Sequence, residues 1–157
     1  MNSNFNYTYE QFYNDAIKLS NETNNKFNIC TINKIVKISY IKASFNLGNE
    51  YVLNINILYS ETYELPVLYF IIYDMNGIPI SFNDYIKKFP SDNDFIKFCE
   101  ISKENHPLQG NVYEYMHLCK FNQLLTELPD IGNILTFWLS IIMQIFKIDI
   151  TTFFNNK

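Results

Sequence analysis

The sequence predicts an α+β fold in which an N-terminal helix and C-terminal helices pack on one antiparallel meander sheet. Three observations predict it. Residues 29–73 hold β-branched and aromatic runs separated by turn residues. A capping-box pair, Thr8 and Gln11, opens an amphipathic stretch ahead of them. Beyond residue 120 the apolar residues change to helical spacing. With 157 residues, 48% of them apolar, the chain is long enough to bury a sizeable core, and a single domain over residues 1–157 is expected.

The elements follow in order. The capping box places a helix start near Tyr9, with Phe12, Tyr13, Ala16, Ile17 and Leu19 as its apolar face. Polar residues 21–26 read as a loop. Run 29–45 reads as the first strand, with Ile32, Val36, Ile38 and Ile41 among polar residues. Run 51–59 sets Val52, Asn54, Asn56 and Leu58 against Leu53, Ile55 and Ile57, a period of two with one polar face. Run 65–73 is almost wholly apolar, as a central strand should be. Gly48-Asn49 and Asn76-Gly77 supply turn chemistry between runs. Residues 82–89 read as a short helix, 95–102 as a strand, and 112–116 as a shorter strand ending just before His117-Leu118-Cys119. Leu124, Leu125 and Leu128 make a helical piece that Pro129-Asp130 breaks. Ile131, Ile134, Leu135, Trp138, Ile141, Ile142 and Ile145 then keep helical spacing.

Composition excludes several functions. The formal net charge of −4, without a basic stripe, argues against a phosphate-neutralising surface, so no nucleic acid is expected. The abundant aromatics, Asn and Ile fit AT-rich codon usage. Residues 1–10 lack a basic-then-apolar leader. Residues 131–150 are broken by Asn133, Ser140, Gln144, Lys147 and Asp149, so stable membrane insertion is not expected. Three cysteines without a secretory signal argue against a disulfide framework and predict a reduced, cytoplasmic protein.

Chemistry-bearing motifs are few. There is no Gly-rich phosphate loop, no nucleophile elbow and no H-E-x-x-H. Cys99, His106, His117 and Cys119 are possible zinc ligands, but there is no C-x-x-C pair and only the last two are close, so no metal is expected. Cys30 and Cys99 lie in apolar runs and read as core. Cys119 has two readings. It is a small buried hydrophobe, or it is a nucleophilic thiolate between a strand end and a helix start, with Lys120 and His117 beside it. His117 reads either as a hydrogen-bonded histidine or as a group that orients a reacting carbonyl. His106, before Pro107, reads as structural, and Tyr63, between strands, as packing.

A more specific signal comes from longer segments. Residues 100–110, EISKENHPLQG, lead into YEYMHLCK at 113–120. YELPVLYF at 63–70 is followed by YDMNGIPI at 73–80, and an apolar helix is centred on Trp138. This arrangement resembles the autophagy branch of the ubiquitin-conjugating enzymes, whose acidic His-Pro loop runs into a strand ending in His-Pro-Cys. The resemblance covers about residues 51–148. It implies a ubiquitin-conjugating-enzyme-like fold with Cys119 as thioester-forming nucleophile, and Tyr63 and His117 as polar groups beside it. The compact length, without a long insertion, fits the autophagy-related protein ten family over its lipid-directed sister, autophagy-related protein three. The implied partners are the modifier, autophagy protein twelve; the activating enzyme, autophagy-related protein seven; and the acceptor, autophagy protein five. No cofactor is implied, and recruitment to the pre-autophagosomal structure is. Leu118 stands where the family carries proline, so a fixed φ is lost there. A catalytically silent interaction domain of the same fold is the remaining alternative.

Overall fold

Thr8 starts the first helix, α1 (Tyr9–Glu22), through both halves of its capping box. The Gln11 amide donates to Thr8 Oγ1 at 3.2 Å, and the Thr8 amide donates to Gln11 Oε1 at 2.9 Å. The computed structural model describes residues 6–32, 38–90, 96, 99–128 and 130–155. Phe12, Ala16 and Leu19 are buried, whereas Tyr13 and Ile17 are exposed. The expected apolar face was too wide, because a 3.6-residue period turns Tyr13 and Ile17 onto the flank of the stripe. Tyrosines tie α1 to the sheet: Tyr59 donates to the Tyr7 carbonyl at 2.7 Å, and the Ser39 amide donates to the Tyr9 hydroxyl at 2.9 Å.

The strands form a single antiparallel sheet, as expected. They are β1 (Asn28–Ile32), β2 (Ile38–Leu47), β3 (Tyr51–Ser60), β4 (Leu65–Asp74), β5 (Pro79–Ile80), β6 (Cys99–Asn105) and β7 (Val112–Leu118). The sheet order is β1-β2-β3-β4-β7-β6, with β5 also on β4. Run 29–45 is not one strand. Its described residues form two strands, β1 and β2, paired antiparallel with Cys30 facing Tyr40 across the ladder. Such pairing doubles the paired backbone that one long strand would leave at an edge. The two-residue β5 was not anticipated, and β6 begins at Cys99 rather than 95, a position outside the described residues. The expected break at Pro129 also lies outside them.

Helices α2 (Phe82–Lys88), α3 (Phe121–Glu127) and α4 (Ile134–Ile145) complete the fold with a 3-10 turn at Ile150–Phe153. Asn133 caps α4 by accepting from the Thr136 amide at 2.9 Å, so the helix starts three residues after Ile131. Trp138 is fully buried in the main core, which joins α1, α2, α3 and α4 to one sheet face. No helix of the described residues is long and apolar enough to cross a membrane.

The other sheet face is only partly polar. Asn54 is exposed, but Leu58 and Asn56 are buried. A second cluster of Tyr40, Leu58 and Val67, with Tyr69, Leu108 and Tyr115, covers it. The 106–111 loop is the lid, and buried His106 is its pin. His106 Nδ1 accepts from the Leu108 and Gln109 amides at 3.1 and 3.2 Å, while its ring lies among Tyr40, Tyr69 and Tyr113. The structural reading of this histidine agrees with that position.

Two predictions arise here. Lys147 has φ 58° at the end of α4, where its amide donates to the Gln144 carbonyl and the Ile148 amide donates to the Met143 carbonyl. This Schellman closure needs the left-handed region, which favours glycine. Lys147→Gly should raise stability by about 0.5–1 kcal/mol, read as a higher urea midpoint. Burial, and secondarily the Lys42 charge, hold His106 below its usual range. The unfolded chain therefore takes up a proton near pH 6.5 that the folded chain resists. Stability should be complete above that pH and fall as pH drops through and below it. His106→Gln should flatten that acidic decline, compared by urea midpoints on either side of it.

Candidate active site

The site is built at the end of β7. Strand alternation sends Met116 and Leu118 into the main core, and sends Tyr115 and His117 to the opposite face. One residue later the strand ends and Cys119 is exposed, just before Lys120 and α3. The buried-hydrophobe reading of Cys119 therefore fails on position. Leu118 is paired with Cys99 across the ladder and its side chain is buried. Pairing and burial hold the backbone at this position.

Two registers bring neighbours to this strand end. β4 pairs β7 with Leu68 opposite Met116, so continuing the pairing places the start of β4 level with Cys119. The β3–β4 turn lies just beyond, with Ser60 opposite Leu65 and Glu64 at φ 53°. Tyr63 on that turn stacks on His117, with ring centroids 4.3 Å apart and planes at 16°. On the other side β6 sets Glu100 opposite His117. Glu100 Oε2 lies 3.5 Å from His117 Nε2 and 3.8 Å from Cys119 Sγ, which donates toward it.

The three residues singled out from the sequence thus meet, and Glu100 joins them. Sequence reasoning quoted Glu100 within a motif and gave it no role. Nothing local marks it, because only the β6–β7 register puts it beside the cysteine. His117 is 6% exposed and covered by Tyr63, which is 40% exposed. Its Nδ1 is buried with no hydrogen-bond partner among the described residues.

The other cysteine and histidine candidates are not part of the Glu100, His117 and Cys119 group. His106 follows the far end of β6 from Glu100, in its tyrosine cage. Cys99 is half-buried against the main core and Cys30 against the second cluster. Burial pushes the Cys99 thiol up to about 12, with the Cys119 sulfur a second cause. Beside Cys119 an apolar groove of about 280 Å³ begins at Leu118 and Lys120 and runs between α3 and α4, past Phe121, Leu124 and Ile141.

The site thus sets an exposed thiol beside a carboxylate and an imidazole, with a tyrosine ring stacked on the imidazole. An exposed thiol in such surroundings is a candidate nucleophile. Comparison with known proteins gives the family and the fold. The human ubiquitin-like-conjugating enzyme ATG10 is 28% identical over an alignment covering 55% of this chain and 44% of that protein. The chain thus spans under half the length of this curated relative. The solution structures of KmAtg10 match with a TM-score of 0.59 at 15% identity, covering 90% of this chain and 95% of that one; this likeness concerns the fold. It agrees with the expected ubiquitin-conjugating-like α+β architecture. The pattern of one family, the autophagocytosis associated protein, active-site domain, matches residues 6–153. The match extends the resemblance drawn from residues 51–148 almost to both ends, and the chain belongs to that family, alongside ATG10 proteins.

Proposed function

We propose that this chain is a ubiquitin-like-protein conjugating enzyme of autophagy, a single domain over residues 1–157 whose acyl carrier is Cys119. The exposure of that sulfur at the end of β7, next to Tyr63 and His117, carries the reading. A silent interaction domain would have no need to hold a thiol in water beside such groups.

The reaction has two balanced steps. The Cys119 thiolate attacks the thioester carbonyl that the activating enzyme, autophagy-related protein seven, presents at the modifier's C-terminal glycine. A new C–S bond forms, and the activating enzyme's thiolate leaves and is protonated. An acceptor lysine amine then attacks the new thioester. The Cys119 thiolate departs, the amine gives up a proton to solvent, and an isopeptide bond remains. The modifier is autophagy protein twelve and the acceptor is autophagy protein five. Both steps build negative charge on a carbonyl oxygen, which needs a donor. Tyr63 is the accessible one, since His117 lies beneath it with Nε2 toward Glu100. His117 supports the Tyr63 ring and the Glu100 carboxylate. The groove past Leu118 and Phe121 suits an extended tail leading to Cys119. The reading needs no resident cofactor, because ATP is consumed by the activating enzyme. It places the protein in the cytoplasm, with recruitment to the pre-autophagosomal structure.

Incubation with activating enzyme, modifier and ATP should give an adduct on a non-reducing gel that thiol removes. Cys119→Ala should give none, and Cys119→Ser a thiol-resistant ester. Absence of any adduct from the unaltered chain would sink the reading. Tyr63→Phe keeps the stacking and should slow transfer to the acceptor by about 10²–10³ if its hydroxyl is the donor. Thiol mapping gives a simpler check. Iodoacetamide near pH 8 should label Cys119 quickly and leave Cys99 protonated and unlabelled, as peptide mass spectrometry would show.

A further inference from the structure

Three acceptor-type atoms converge at the end of β7. Cys119 Sγ, His117 Nε2 and a Glu100 carboxylate oxygen all lie within 4.8 Å of one another. As hydrogen bonds the contacts are loose: 3.5 Å from Nε2 to Oε2 exceeds the usual N–H···O range of about 2.7–3.2 Å. As edges of a coordination tetrahedron they fit. Zinc takes nitrogen or oxygen at about 2.0–2.2 Å and thiolate at about 2.3 Å, which sets neighbouring donors roughly 3.3–3.7 Å apart. The 3.5 Å separation falls in that interval, and the 3.8 Å one, to the exposed Cys119 sulfur, lies about 0.1 Å beyond it. The remaining edge, at most 4.8 Å, closes by rotation of the exposed Cys119 side chain.

We propose that Cys119, His117 and Glu100 form a three-donor site for zinc(II), and that zinc held there silences the thiol. One donor is fixed before any ion arrives, and the backbone of a second is in place. His117 is clamped under Tyr63, and Glu100 is set opposite it by the β6–β7 ladder. Glu100 and Cys119 both face solvent, so the ion has an entry path and a fourth position for water. A thiolate with an imidazole selects zinc over magnesium or calcium, which prefer all-oxygen sets. On binding, the Cys119 S–H proton passes to solvent and the sulfur lone pair goes to the metal. A sulfur so occupied does not attack a carbonyl. The silencing rests on the proposed acyl-carrier role of Cys119; the binding does not.

The test uses the reduced, chelator-treated full chain. Cobalt(II) titration should produce a thiolate-to-metal absorption band that zinc displaces. Cys119→Ser should abolish the band, and Glu100→Gln should weaken zinc binding at least about tenfold. Both positions are exposed, so both variants keep the fold. Zinc should also stop alkylation of Cys119 and formation of the modifier adduct, and chelator should restore both. No thiolate band, or unchanged zinc affinity in Glu100→Gln, overturns the site. An adduct that forms regardless of bound zinc overturns the silencing and leaves the conjugating role standing. A band and alkylation block without any adduct under metal-free conditions uphold the site and defeat the conjugating role.

Discussion

Strand β7 is held by ladders on both sides, and those two registers decide what surrounds its last residues. β4 brings the Tyr63 turn to it, and β6 brings Glu100. A slip of one residue in either ladder would turn the wrong side chains to this face. The burial of Met116 and Leu118 in the main core opposes such a slip, because it would send both into the polar face. The core thus sets the position of the sulfur, although Cys119 itself lies outside it.

The same constraint explains the contrast between Cys99 and Cys119. Cys99 lies opposite Leu118, half-buried against the main core, and remains a thiol. Cys119 lies one residue past the end of pairing and meets water. Two cysteines at neighbouring sites therefore belong to different chemistries through strand position alone. Leu118 is held in place without a proline ring. Cross-strand pairing and a buried side chain restrict the backbone that a ring would otherwise restrict.

Much of this was legible from residue order. The Thr8–Gln11 box, the β3 and β4 runs, the short helix after Pro79 and the Trp138 helix all have local causes: caps, periods and turn residues. Cys119, His117 and Tyr63 were reached through motif resemblance, and the structure brings them to one place. What escaped notice depends on distant pairing. Run 29–45 has no strong turn signal to announce its two strands, and β5 is too short to show a period. The covering of Asn56 and Leu58 needs the His106 loop, some fifty residues further on. Glu100 acquires meaning only from the strand opposite. Glu64 in the left-handed region is equally silent in sequence, since glycine is the residue that ordinarily marks such a turn.

The Tyr63 turn closes the β3–β4 hairpin and Cys119 ends the β6–β7 hairpin, and the β4–β7 ladder joins the two. Local hairpins form early, and pairings between distant segments form late. A chain whose β4–β7 ladder is still open therefore holds its sulfur beside the carboxylate but without the tyrosine ring. On the proposed reading, reactivity is withheld until the last ladder zips, so an immature molecule is a poor thief of activated modifier.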